Sequence, residues 1–121
     1  MPKILIVDDS GYTRKMIIDS LAAVGYTNVV EASTGPEAIE KFRLNAPSLI
    51  LLDLILTTEM DGLDVLREIR KISSSTKVVV LSAIGQERYK SEALSLRIDG
   101  YLTKPFNPQE LVQKIKLLIG K

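Results

Sequence analysis

Two kinds of hydrophobic spacing alternate along the chain. Ile4–Val7, Leu49–Leu52 and Val78–Leu81 are short unbroken apolar runs, with no polar residue at every second position. Runs of this kind suit strands buried on both faces of a parallel sheet. Between them, apolar residues return every third or fourth position, the period of an amphipathic helix. Ser10 can cap a helix running to Val24, with Ile17, Leu21 and Val24 on one face and Gly25 as its stop. A short strand over Thr27–Ala32 follows. Thr34 and Glu37 have capping-box spacing with Pro36 in the first turn, and Ala38, Ile39 and Phe42 give that helix an inner face before Pro47 ends it. After the central strand, Ser48–Asp53, comes a loop over Leu54–Asp61. A helix from Gly62 then turns Val65, Leu66, Ile69 and Ile72 inward. Lys77–Leu81 forms the next strand, Gln86–Leu96 a helix on the stripe Tyr89, Ala93 and Leu96, and Tyr101-Leu102 a last strand reaching Lys104. Asn107 caps a final helix whose core stripe is Leu111, Ile115 and Leu118. This alternation predicts an α/β fold, a parallel sheet with helices on both faces. No linker, repeat or low-complexity segment interrupts the 121 residues, so one domain over 1–121 is expected.

The strands end abruptly in polar groups: Asp8 and Asp9 after the first, Asp53 after the third, Ser82 after the fourth, Lys104 after the fifth. In open α/β sheets, ligands bind outside the carboxyl ends of the strands. Carboxylates gathered there resist being charged together. A divalent cation relieves that conflict, and magnesium binds through one or two carboxylates plus substrate phosphate. Lys104 supplies the complementary charge and Ser82 a hydroxyl donor. Together they would hold a phosphoryl group against a nucleophilic Asp53. Taken singly, Asp8 or Asp9 reads as a helix cap, Ser82 as a turn residue and Lys104 as a solvated lysine. Their joint placement at four strand ends carries the functional reading.

Composition narrows the chemistry further. The chain has neither His nor Cys, which removes thiolate chemistry and the commonest zinc ligands and leaves magnesium, manganese or calcium as metals to consider. With 16 basic and 15 acidic residues, the net charge of +1 gives no general reason to expect nucleic acid or a membrane surface. No apolar run reaches spanning length and the N-terminus lacks signal-peptide character, so a cytoplasmic protein is expected.

Ile6-Val7-Asp8-Asp9-Ser10, the apolar run into Asp53, Met60-Asp61-Gly62, Leu81-Ser82-Ala83 and Tyr101-Leu-Thr-Lys104-Pro105-Phe106 together resemble the receiver domain of two-component response regulators, from end to end. The resemblance implies a flavodoxin-like (CheY-like) doubly wound sheet of order 2-1-3-4-5. It implies that Asp53 accepts a phosphoryl group from the phosphohistidine of a sensor histidine kinase. The protein would then be a phosphoacceptor that assists its own phosphorylation and dephosphorylation, not an enzyme in the ordinary sense. By the same resemblance, Asp8, Asp9, Asp53 and the backbone carbonyl of Ile55 would hold Mg2+, with Mn2+ a substitute. Lys104 and Ser82 would contact phosphoryl oxygens, Tyr101 would be the switch aromatic, and a cis peptide would precede Pro105. Output is expected by protein–protein contact through Gln86–Leu96, Tyr101 and Asn107–Ile119, with no output domain after Lys121. Val7-Asp8-Asp9-Ser10 and Ser82-Ala83-Ile84-Gly85-Gln86 are similar to the chemotaxis group, whose partner is a flagellar motor switch.

The chain departs from the family pattern in two places. The loop from Asp53 to Gly62 is one residue longer and lacks a proline, and Arg97-Ile98-Asp99-Gly100 replaces a Gly-Ala pair. Ile55 and Ile84, two residues beyond Asp53 and Ser82, can exclude water but cannot orient it, which predicts slow self-dephosphorylation. Two alternatives within the family are a phosphorelay intermediate serving a histidine phosphotransferase and a receiver acting as a non-phosphorylated binding module. A haloacid-dehalogenase-like phosphatase would need an Asp at position 55, where Ile stands. A flavin binder would want a hydroxyl-rich loop where Asp8-Asp9 stands.

Overall fold

The computed structural model describes residues 2–56, 60–83, 85–86 and 89–120. In chain order they form β1 (Ile4–Val7), α1 (Gly11–Ala22), β2 (Val29–Ala32), α2 (Gly35–Asn45), β3 (Leu49–Asp53), α3 (Gly62–Ile72), β4 (Lys77–Ala83), α4 (Lys90–Ser95), β5 (Gly100–Lys104) and α5 (Pro108–Ile119). All pairings are parallel and the strand order is β2-β1-β3-β4-β5, as the resemblance implies.

The apolar runs are strands because they are wanted on both sides. Alternation along each strand sends Leu5, Val7, Ile50, Leu52, Val78 and Val80 into one core with Ala38 and Phe42 of α2 and Val65, Leu66 and Ile69 of α3. Their neighbours Ile4, Ile6, Leu49, Leu51, Val79 and Leu81 enter a second core with Ile17 and Leu21 of α1 and Leu111 and Ile115 of α5. Helices therefore cover both faces, and the inner strands β1 and β3 are buried along their whole length, while the edge strands β2 and β5 expose Glu31 and Thr103.

Capping begins the helices where the sequence indicates. Ser10 accepts from the Thr13 amide, Thr34 from Glu37 and Asn107 from Glu110. Glu37 reaches back to the Ser33 amide at 2.7 Å. Asp61 and Asp64 form a reciprocal capping box at the start of α3.

Several sequence expectations need correction. The first helix stops at Ala22, and Val24 is 41% exposed because the chain has already turned away from the sheet. Ile72, the last residue of α3, is 44% exposed although it continues the apolar stripe. The second strand begins at Val29, not Thr27, where its ladder with β1 begins. The fourth helix is a short α4 over Lys90–Ser95 within the expected Gln86–Leu96, and Ala93 is its one buried residue. One buried contact offers little packing to extend a helix.

Candidate phosphoacceptor site

Order reverses at β1, whose neighbours β2 and β3 lie on opposite sides of it. Crevices in open α/β sheets form at such a point, at the strands' carboxyl ends. Val7 pairs with Leu52, so the next residues, Asp8 and Asp53, emerge level with each other. Asp53 pairs with Leu81 and Ala83 with Lys104, which brings Ser82 and Lys104 to the same end. All five residues singled out at strand ends are gathered there.

The carboxylate oxygens of Asp8, Asp9 and Asp53 lie within 4.8 Å of one another. The Lys104 Nζ donates to Asp8 Oδ2 at 2.8 Å and to Asp53 Oδ2 at 3.2 Å. Each of these carboxylates also accepts a backbone amide on its other oxygen, Ser10 N–H to Asp8 at 2.9 Å and Ile55 N–H to Asp53 at 3.3 Å. Asp8 is fully buried and Asp53 5% exposed, so the lysine is what makes their burial tolerable. Burial pushes the Asp53 carboxyl up to about 6; the Lys104 ammonium opposes the rise and the Asp8 charge adds to it. Burial by itself would lower Lys104, but the hydrogen bond from Lys104 to Asp8 and the charge of Asp53 outweigh it and hold the ammonium above its usual range.

Three carboxylates against one lysine leave negative charge uncompensated. An all-oxygen donor set with no imidazole or thiolate suits a small hard divalent cation. The residues therefore fit Mg2+ or Mn2+.

Ser82 is fully buried on β4, and its Oγ donates to the Tyr101 hydroxyl at 2.7 Å. Tyr101 is half-buried against the first core, with Lys90 Nζ of α4 4.8 Å from its ring centroid. The Lys104–Pro105 peptide is cis, as the resemblance implies. The long loop after Asp53 closes at its ends: Leu54 N–H donates to Leu81 O at 2.9 Å and Gly62 N–H to Leu54 O at 2.8 Å. A β-carbon on Gly62 would collide with the Asp53 carbonyl and come within 2.6 Å of Leu54 Cα, so only glycine fits where α3 starts. Ile84, expected over the site beside Ile55, lies outside the described residues.

Spacing along the chain does not single out Arg14, yet its Nη1 donates to the Asp8 carbonyl at 2.6 Å. The available signal is its place one turn into α1: helical side chains lean toward the helix N-terminus, here toward the acidic turn.

Comparison with known proteins agrees with this geometry. The family model described as "Response regulator receiver domain" matches residues 4–116. "Chemotaxis protein CheY" of Thermotoga maritima is 35% identical over 113 residues, covering 93% of each chain. "Probable transcriptional regulator ycf27" of Guillardia theta is 38% identical over 119 residues, covering 98% of this chain and 46% of that protein. A solved response regulator receiver domain protein from Clostridium thermocellum superposes with a TM-score of 0.91 at 29% identity, covering 98% of this chain and 94% of that one.

Proposed function

Because this chain belongs to the response regulator receiver family, we propose that Asp53 accepts a phosphoryl group from the phosphohistidine of a sensor histidine kinase and that the change is read by a protein partner. The observation that carries the reading is Lys104 bridging Asp8 and Asp53 beside the acidic trio. A carboxylate held this way is a nucleophile facing a fixed cation. Its oxygen forms the new P–O bond while the P–N bond to the donor imidazole breaks, and that bond's electron pair stays on the nitrogen. Lys104, already oriented, moves from carboxylate to phosphoryl oxygen and keeps the negative charge compensated. Asp8, Asp9, Asp53 and the Ile55 carbonyl would hold Mg2+, or Mn2+ in its place. When bound, the ion would offset charge on the phosphoryl oxygens.

The single proton of the Ser82 hydroxyl is directed at Tyr101, and a phosphoryl oxygen would compete for it. Phosphorylation would draw its hydroxyl from Tyr101, and the ring and the overlying Lys90 would then resettle. The affected face comprises the Gln86–Leu96 segment, Tyr101 and Asn107–Ile119, which we assign to the downstream partner. Among outputs, chemotaxis is favoured by the Thermotoga maritima relative, which matches over nearly its whole length, and a flagellar motor switch is the partner that reading implies. It carries a cytoplasmic setting with it and calls for neither nucleic acid nor membrane.

The test is intact-mass spectrometry after incubation with acetyl phosphate, with and without Mg2+, on wild type and Asp53→Asn. One magnesium-dependent phosphoryl adduct, absent from the variant, is expected. No adduct on wild type under conditions where Mg2+ is shown to bind would replace this reading with that of a non-phosphorylated binding module.

A further inference from the structure

We propose that Arg14 is a positioning residue for the acidic turn, setting how tightly Asp8, Asp9 and Asp53 hold a divalent cation. This rests on the receiver reading of the site.

Arg14 spans three elements. From the first turn of α1 its Nη1 donates to the Asp8 carbonyl at 2.6 Å, and its Nε donates to Glu31 Oε1 on β2 at 2.9 Å. Only about a fifth of the side chain is exposed. Glu31 stands on β2, where Lys41 of α2 donates to its backbone carbonyl at 2.9 Å. The guanidinium is a rigid planar fork, so two bonds in different directions fix its orientation as well as its position.

The consequence runs through the Asp8–Asp9 peptide. Its six atoms are coplanar, so fixing the Asp8 carbonyl fixes the Asp9 amide and Cα. The Asp8 amide is held by Ala32 O at 3.1 Å, and its carboxylate by Ser10 N–H and Lys104. Arg14 completes the set, so that every polar group of Asp8 is committed. Asp9 has no comparable hold on its own carboxylate among the bonds described. Its direction toward the other two acids is inherited from the peptide that Arg14 clamps.

A charge argument and a positioning argument predict opposite signs. As a cation beside the cluster, Arg14 repels a divalent ion, so its removal by charge alone tightens binding. As the clamp of the turn, its removal loosens binding, because the carboxylates must then be ordered by the ion itself. Partners that orient metal ligands are commonly worth tenfold or more in affinity.

The experiment is an Mg2+ titration of the purified protein, followed by backbone amide shifts and calorimetry. It compares wild type with Arg14→Met, Arg14→Lys and Glu31→Gln, each first checked by thermal melting. Arg14→Met is expected to weaken Mg2+ binding by about tenfold. Arg14→Lys, which keeps the charge but reaches one acceptor, should recover part of that loss, and Glu31→Gln should weaken binding less than Arg14→Met. Unchanged or tighter binding by folded Arg14→Met overturns the proposal. Should Arg14→Met melt below the assay temperature, Arg14→Lys decides: wild-type affinity overturns the proposal and weakened affinity upholds it. A wild type that binds no Mg2+ overturns the receiver reading and this inference together, whereas wild-type binding with unaltered variants overturns the inference alone.

Discussion

Asp53 pays for its position in the absence of a cation. Its carboxyl is pushed from 3.8 up to about 6, chiefly by burial. A carboxyl raised on folding favours the folded state while protonated, so its contribution is complete below 3.8 and is lost as pH climbs through about 6. The shift of roughly 2 units corresponds to about 3 kcal/mol in the metal-free protein. Asp53→Asn removes the ionisation while keeping the shape. We therefore expect urea unfolding without metal to show the variant about 1–3 kcal/mol more stable than wild type at pH 7.5, the gap closing toward pH 4. A wild type as stable as the variant at pH 7.5 would show that Lys104 compensates Asp53 fully.

The start of α3 and the end of β3 are one mechanical unit. Asp61 caps the helix, Gly62 N–H closes onto Leu54 O, and Gly62 lies against the backbone of Asp53 and Leu54. Gly62→Ala must separate the helix from the strand that bears the proposed phosphoacceptor. The expected cost is about 2–4 kcal/mol in denaturant unfolding, together with slower phosphorylation by acetyl phosphate. A variant of wild-type stability would mean that α3 can shift without disturbing β3. At its far end α3 is anchored by Arg70, which donates to Thr76 O and Arg97 O at 2.8 Å each and to Leu96 O at 3.0 Å. Arg67 pairs with Glu92 of α4. Short α4, with little packing of its own, is thus held to α3 by Arg67 at Glu92 in its first turn and by Arg70 just past its end, while Lys90 at its start rests on Tyr101.

Across the whole molecule, one sheet end collects acidic charge that the sheet's own strand order forces together. A cation bound by that cluster binds the folded chain and not the dispersed carboxylates of the unfolded one, so it must stabilise the fold. At 100 times its dissociation constant, Mg2+ is expected to add about 2.7 kcal/mol, read as a shift in the urea midpoint at pH 7.5. Asp9→Asn, altering the least buried of the three acids, should remove most of that shift while leaving the metal-free midpoint nearly unchanged. A wild-type midpoint indifferent to Mg2+ would contradict the metal assignment.

Where the strands and most helices lie, and which polar residues end the strands, is legible along the chain. Both are local properties: an unbroken apolar run demands burial on two faces, and the first polar group after it must emerge. The family's motifs then implied the strand order. Tertiary structure alone decided what meets what. Asp8 and Lys104 are separated by 96 positions, and their 2.8 Å contact exists because β1, β3, β4 and β5 are adjacent in that order. Periodicity placed Val24 and Ile72 on inner faces, but it cannot say where a helix stops or whether its last turn is covered. It could not reveal that Ser82 is engaged by Tyr101, or that Arg14 turns back onto the Asp8 carbonyl. Those bonds depend on which groups remain unsatisfied after packing, a quantity that no stretch of sequence contains.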